Sequence, residues 1–158
     1  MADPYRSVTH IALEVPSLKG AEEFYRALFG MDVSFRESET PDGWATLPAG
    51  ADWQKAEAAG LEPGLSLLQR EAVALALESH PGAGAAALSH IGLEVTPQEL
   101  KEVRERAAVL HCRIIGERED LLVLLDPFGV QWELTTSSRL VSSGERYGRW
   151  IAIKRQGT

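Results

Sequence analysis

The chain of 158 residues has a single cysteine, Cys112, and therefore no internal disulfide. Nothing in it calls for an oxidising compartment. No apolar run reaches the roughly 18–20 residues that span a bilayer, so no transmembrane helix is expected. The opening residues Met1-Ala2-Asp3-Pro4-Tyr5-Arg6 lack the basic and apolar regions of a secretory leader, and the expected location is the cytoplasm. Positive charge is also scarce: 16 Lys and Arg against 23 Asp and Glu leave a net charge of −7. A nucleic-acid surface needs a concentrated basic patch, so that class of partner is not expected. The local exception is Arg146, Arg149, Lys154 and Arg155, with Tyr147 and Trp150 among them. We read this segment as a solvated end that packs on the core or on a partner subunit, in preference to a binding tail. The remaining composition, 44% hydrophobic and 25% charged, suits one globular domain with a sizeable core.

What is present is a repeat. Val8-Thr9-His10-Ile11-Ala12-Leu13-Glu14-Val15 returns as Leu88-Ser89-His90-Ile91-Gly92-Leu93-Glu94-Val95, with the two histidines 80 positions apart. In the first copy Ile11, Leu13 and Val15 alternate with His10, Ala12 and Glu14. Period two predicts a strand with one apolar face and the histidine on the other.

A helix follows each copy. In the first, Pro16-Ser17 ends the strand, Ala21, Phe24, Tyr25 and Leu28 recur at helical spacing, and Gly30 suits the left-handed position past the helix end. In the second, Thr96-Pro97-Gln98-Glu99 predicts a capping box with proline at the first helical position, and Leu100, Val103, Ala107 and Leu110 form the buried stripe. Met31 to Ser38 reads as a strand with Val33 and Phe35 on one face. Further strands are expected at Trp44–Leu47, Leu65–Leu68, Val73–Glu78, Cys112–Ile115, Leu121–Leu125 and Val130–Thr135. Asp52 to Ala59 reads as a short helical segment. Asp126-Pro127-Phe128-Gly129 is a turn with each residue at a favoured place. Ser79 to Ala87, with Pro81-Gly82 and Gly84 among alanines, reads as a linker.

The expected architecture is thus α+β, with two tandem β-α-β-β-β modules forming a curved mixed sheet within a single domain over residues 1–158. Module one covers 7–80, module two 87–136, and a tail 137–158. The constant offset slips after the second strand: His10 to Glu78 is 68 residues, but His90 to Glu133 is 43. The difference of 25 places an insertion at about 39–63 of module one. Long loops are more often functional than incidental, although covering a sheet edge or a subunit contact is an equal alternative.

If the modules correspond, Glu78 and Glu133 are equivalent strand-end carboxylates, and each module offers one His and one Glu. Unpaired, such groups cost several kcal/mol each to bury. A divalent cation would neutralise the carboxylates. Two imidazoles and two carboxylates suit Zn, Ni, Co, Mn or Fe(II), unlike a closed cysteine-rich zinc site, and around an octahedral ion leave about two positions open.

The His10–Val15 and His90–Val95 copies, the helix end Phe24-Tyr25…Leu28-Phe29-Gly30, and Asp126-Pro127-Phe128-Gly129-Val130-Gln131-Trp132-Glu133-Leu134 resemble the vicinal oxygen chelate superfamily. This is the group of glyoxalases, bleomycin-resistance proteins and extradiol dioxygenases. The resemblance covers about residues 7–136, and the Asp-Pro-x-Gly-x-x-x-Glu-Leu pattern is its most specific part. It implies two modules curling into a cleft around one divalent metal, with ligands from strands one and four of each module: His10, Glu78, His90 and Glu133. It also implies a homodimer and a small-molecule substrate. Two features depart from the family pattern: the insertion, and the absence of a sharp motif around Glu78, for which His80 two residues on is the competing ligand.

Other side chains have lesser claims. Gln131 shares a face with Glu133 and is expected to bind substrate or a ligand residue. Trp44 and Trp53 are expected to pack in the core or at a dimer contact, in preference to walling the cleft. Glu14 and Glu94 share faces with the histidines, at the rim or in solvent. Cys112 beside His111 imitates a nucleophile pair, but adjacent strand residues point to opposite faces. Three functions follow from the resemblance. The first is a glyoxalase-like lyase or isomerase in which Glu78 or Glu133 shuttles a proton. The second is an extradiol-type dioxygenase using Fe(II) with His10, His90 and Glu133. The third is a non-catalytic binder of the antibiotic-resistance kind. No motif selects a thiol transferase acting on an epoxide antibiotic. The two-His, two-Glu set favours the first.

Overall fold

The computed structural model describes residues 5–41, 43–47 and 51–136. In chain order the elements are β1 (Tyr5–Val15), α1 (Leu18–Phe29), β2 (Asp32–Thr40), β3 (Gly43–Thr46), α2 (Trp53–Ala58), β4 (Pro63–Arg70), β5 (Val73–Ser79), β6 (Ala87–Val95), α3 (Pro97–Val109), β7 (Arg113–Arg118), β8 (Leu121–Leu125) and β9 (Gln131–Thr135). The architecture is α+β: a mixed open sheet of nine strands with three helices among the described residues. Each of the nine strands overlaps a segment expected to be a strand. None of the helices among the described residues is long and apolar enough to cross a membrane.

Contacts divide the chain into two compact units, and the division runs through β1. Among the described residues, one unit holds 5–12 together with 88–136, and the other holds 13–87. In the first, β1 is followed by β6, β9, β8 and β7; in the second, β1 is followed by β5, β4, β2 and β3. The two orders match strand for strand, with β3 as an extra edge. Between β2 and β4 lie β3 and α2, whereas only Glu119 and Asp120 separate β7 from β8.

In the first unit β6 and β9 run parallel, with Gly92 opposite Glu133, and β8 and β9 run antiparallel, with Val123 opposite Glu133. One face of these strands carries Val95, Leu122, Leu124 and Leu134, which pack with Leu100 and Ala107 of α3. Burying side chains of this size stabilises the unit by roughly 1.5–3 kcal/mol each. The pleat therefore turns His90, Gly92 and Glu133 to the face away from α3.

Thr96 caps α3: its Oγ1 accepts from Glu99 N–H at 3.1 Å, and Pro97 opens the helix. The carboxylate of Glu99 binds Arg106 Nη2 at 2.7 Å, in place of the reach back to Thr96 that a full capping box requires. At the other end Leu110 is exposed and caps the helix, so it leaves the expected stripe. His111 follows with φ +60°, and Cys112 N–H reaches back to Ala107 C=O at 3.0 Å. This is a Schellman closure with histidine in the left-handed position that glycine prefers.

In the second unit, α1 departs from its expected stripe. Phe24 and Leu28 are 57% and 56% exposed, and the buried residues are Leu18 and Glu22. The reason is electrostatic. Arg36 donates to both oxygens of Glu22, Nε at 2.8 Å and Nη2 at 2.6 Å. Ser66 Oγ donates at 2.6 Å and Trp53 Nε1 at 3.1 Å. Burial pushes the Glu22 carboxyl up, but these hydrogen bonds outweigh it and hold it below its ordinary value. Arg36 reaches Glu22 because β2 carries a bulge between Val33 and Phe35. Val33 pairs with Leu68 and packs with the α1 core, while Phe35 pairs with Leu67. The bulge thus separates two side chains that simple alternation puts on one face. Arg36 also donates to Ala51 C=O at 2.8 Å and lies over the Trp53 ring, which ties α2 to the sheet.

Two stability measurements test these assignments. Glu22→Ala strands the largely covered Arg36 guanidinium and is expected to lower unfolding stability by about 3 kcal/mol in urea titrations. His111→Gly relieves the left-handed backbone and is expected to raise it by about 1 kcal/mol. No gain would mean that the His111 side chain offsets its own backbone strain.

Candidate metal centre

β1 and β6 are hydrogen-bonded neighbours, so the two repeated histidines meet. His10 Nε2 and His90 Nε2 stand 2.9 Å apart, with the rings edge to face at 88°. Each is only 1% exposed. β9 lies beside β6, and Glu133 Oε2 comes within 3.7 Å of His90 Nε2. Among the described residues, His10, His90 and Glu133 offer ligand atoms that all lie within 4.8 Å of one another.

Each imidazole is held at its other nitrogen. Thr9 Oγ1 lies 2.9 Å from His10 Nδ1, and Ser89 Oγ lies 3.1 Å from His90 Nδ1. The His10 ring rests on Gly92. A Cβ at that position would meet His10 Cε1 at 2.4 Å, His10 Nδ1 at 2.5 Å and Thr9 Oγ1 at 2.5 Å.

Burial lowers the His10 pKa to about 3, with the neighbouring His90 adding to the shift, and burial lowers His90 to about 4. Both rings are therefore neutral at pH 7, and the His90–Glu133 contact is not an ion pair there. Neutral imidazole is the metal-binding form. Two imidazole nitrogens bound at about 2.1 Å and at right angles on one ion stand about 3 Å apart, close to the distance between these two. Two neutral imidazoles and a carboxylate form the mixed N/O set that suits Zn, Ni, Co, Mn or Fe(II). The residues present fit a divalent metal.

The remaining expected site residues divide by position. Gln131 is half-buried on β9, two residues from Glu133 and on its face, opposite Leu125. Glu78 is on β5 in the other compact unit, opposite Leu65 of β4. His80 lies past the end of β5 and is 53% exposed, with Nδ1 at 3.9 Å from Glu14 Oε2. Trp44 is on β3, and its ring covers Gly64, where a Cβ would meet it at 2.9 Å. Trp53 binds Glu22. Cys112 packs against the α3 core, and His111 serves the helix end, so the pair is structural.

Asp126 shows why the turn before β9 has its sequence. Its Oδ1 accepts from the N–H groups of Phe128 and Val130, both at 2.9 Å, and its Oδ2 accepts from Trp132 Nε1 at 3.0 Å. Trp132 first, then the backbone donors, hold its carboxyl below the ordinary value. The turn pins Trp132 toward the α3 side and thereby sends Glu133 to the histidine side. An apolar pocket of about 330 Å³ lined by Leu93, Val103, Leu124 and Trp132 lies on the α3 face, away from His90. Sequence reasoning missed Thr9, Ser89 and Gly92. The first two were visible as a hydroxyl before each histidine, and the third as the one break, Ala12 against Gly92, in an otherwise conservative repeat.

Strand pairing in this fold brings together His10, His90 and Glu133, a donor set that suits a divalent ion. The chain belongs to the glyoxalase/bleomycin resistance protein/dioxygenase superfamily, whose family model matches residues 7–134. No curated protein matches it significantly in sequence. Solved structures with the same fold include methylmalonyl-CoA epimerase from Mycobacterium tuberculosis, at 16% identity and a TM-score of 0.54, covering 85% of this chain and 90% of that one. A variant of homoprotocatechuate 2,3-dioxygenase from B. fuscum matches at 20% identity and a TM-score of 0.56, covering 90% of this chain. The halotolerant catechol dioxygenase BphC matches at 18% and 0.52, covering 82%. The chain spans only 34% and 39% of these two dioxygenases.

The lowered histidine pKa values set a pH dependence. Unfolded histidine titrates near 6.5, so below that pH the unfolded chain binds protons that the folded, metal-free chain refuses. Stability is fully present above pH 6.5 and is lost as pH falls toward the folded values of about 4 and 3. Each histidine contributes a slope of about 1.4 kcal/mol per pH unit in this window. Urea unfolding in chelator at pH 7.5, 6.5 and 5.5 is expected to show a shallower loss for His90→Gln than for wild type. Equal slopes would contradict buried neutral rings.

Proposed function

We propose that the protein is a divalent-metal-dependent enzyme of the vicinal oxygen chelate type, a glyoxalase-like lyase or isomerase. Its substrate is a small molecule with vicinal oxygens, and its chemistry is proton transfer at the adjoining carbon. The observation that supports this is the convergence of His10, His90 and Glu133, three buried or half-buried ligand residues with their donor atoms within 4.8 Å. When bound, the metal supplies Lewis-acid polarisation of the substrate oxygens. His10 and His90 hold it as neutral ligands through Nε2, and Glu133 contributes the charge. Glu133 is also the carboxylate that takes a proton from carbon and returns it in this reading. Glu78 is the second carboxylate of this reading, as fourth ligand and alternative proton carrier. Gln131, on the Glu133 face, hydrogen-bonds the substrate. An epimerase of nearly this length on the same fold agrees with one such unit sufficing for proton chemistry. A homodimer in the cytoplasm completes the reading.

A second reading, an extradiol-type dioxygenase, draws on the same three residues, since two histidines and one carboxylate form the facial set of Fe(II) oxygenases. Against it stands the length of the two dioxygenases compared, of which this chain spans only 39% and 34%.

Metal analysis of purified protein is expected to find Zn, Ni, Co or Mn, lost in His90→Ala. With methylglyoxal and a thiol in D₂O, NMR is expected to show exchange or transfer at the carbon-bound hydrogen. Glu133→Gln is expected to slow it by about 10²–10⁴-fold. Fe(II)-dependent oxygen uptake with catechols would replace the first reading with the second. Ligand binding that needs no metal and survives His90→Ala would leave only a non-catalytic binder.

A further inference from the structure

We infer that Thr9 and Ser89 are positioning residues of the centre, and that their hydroxyls decide which nitrogen each histidine presents to a metal. The inference rests on the metal reading above.

The two hydroxyls occupy the same place in the repeat, one residue before each histidine, and each contacts Nδ1 at 2.9 or 3.1 Å. A neutral imidazole carries one proton, on Nδ1 or on Nε2. A metal takes the lone pair of Nε2, so both rings must then carry their protons on Nδ1, and each Nδ1–H needs an acceptor. Thr9 Oγ1 and Ser89 Oγ are placed to accept them. Fixing the proton at the far nitrogen both orients the ring and sets the ligand form.

Without metal the demand differs. Nε2 of His10 and Nε2 of His90 are 2.9 Å apart, so one must carry a proton and donate while the other accepts. The donating ring then has a bare Nδ1, which needs a donor. A hydroxyl rotates to either role. A carboxylate accepts only, and an apolar side chain does neither. Serine and threonine therefore satisfy both the metal-free and the metal-bound arrangements at both rings.

Gly92 is the third part of the seat. With a Cβ at 2.4–2.5 Å from the ring and from Thr9 Oγ1, His10 and its hydroxyl partner cannot keep this geometry. The corresponding residue of the other copy is Ala12, whereas the copy on which the His10 ring rests has glycine.

The test combines Co²⁺ titration, read by its visible absorption, with ¹⁵N NMR of the histidine rings. Thr9→Val and Ser89→Ala remove half-exposed hydroxyls and are expected to fold. Each is expected to weaken Co²⁺ binding by about tenfold or more. Thr9→Ser is expected to keep wild-type affinity within about twofold, which separates loss of the hydroxyl from loss of packing. Gly92→Ala is expected to weaken binding at least as much as Thr9→Val, with an altered cobalt spectrum. In the metal-free protein Thr9→Val removes the hydroxyl from His10 Nδ1 and is expected to favour the Nε2–H form of His10. Ser89→Ala is expected to favour the Nε2–H form of His90. The two variants are thus expected to show opposite tautomer patterns. Identical patterns, or unchanged cobalt affinity in both variants, would overturn the inference. Wild-type protein that binds no cobalt would overturn the metal reading, and the metal-free tautomer patterns would still decide the role of the hydroxyls.

Discussion

Two imidazoles buried 2.9 Å apart, on neighbouring strands and 80 residues apart in sequence, set the terms for the first unit. Groups this polar are tolerated without water only when their hydrogen-bonding capacity is used. Here each ring has the other at Nε2 and a hydroxyl at Nδ1. Gly92 removes the one side-chain atom that would stand in the way. The pairing of β1 with β6 brings residues up to Ala12 into the unit that otherwise begins at Leu88. The chain's compact units therefore do not coincide with its sequence repeats, because β1 belongs to both.

From that contact the rest of the site follows by registry. β9 runs parallel to β6 with Glu133 opposite Gly92, which sets the carboxylate within reach of His90. α3 closes the other face with Leu100 and Ala107, and a one-residue slip of β9 would send Glu133 into that apolar layer. The Asp126 turn guards the register by holding the Trp132 indole on the α3 side. In the second unit a buried carboxylate has a comparable role. Glu22 gathers Arg36, Ser66 and Trp53, and so joins α1, β2, β4 and α2.

The strands and most of the metal centre were legible because they depend on period and repetition. Alternation marks a strand whatever it packs against. Repetition marks His10 and His90, since equivalent side chains from two copies of a module are brought to equivalent places. Glu133 followed from its place in the last strand of the second module, although it lies in the middle of β9 and not at its end. Other features escaped for a physical reason. The β2 bulge has no local signature in Val33-Ser34-Phe35, so the expected common face for Val33 and Phe35 was wrong. Amphipathic periodicity assigns Glu22 to solvent, because it carries no information about an arginine 14 residues away. The same blindness put Phe24 and Leu28 inside. Thr9 and Ser89 were passed over because strand neighbours of an inward histidine ordinarily face outward.

By itself the sequence determined the nine strands, the family, and the duplicated module whose histidines and last-strand glutamates are suited to a divalent ion. These are properties of local pattern and of self-similarity, both written along the chain. Only the tertiary structure decided that β1 serves two units, that His10, His90 and Glu133 meet, and that a bare glycine and two hydroxyls seat the rings. Those outcomes depend on strand order, register and close approach between residues far apart in sequence. Such relations arise only when the backbone hydrogen bonds between strands are made.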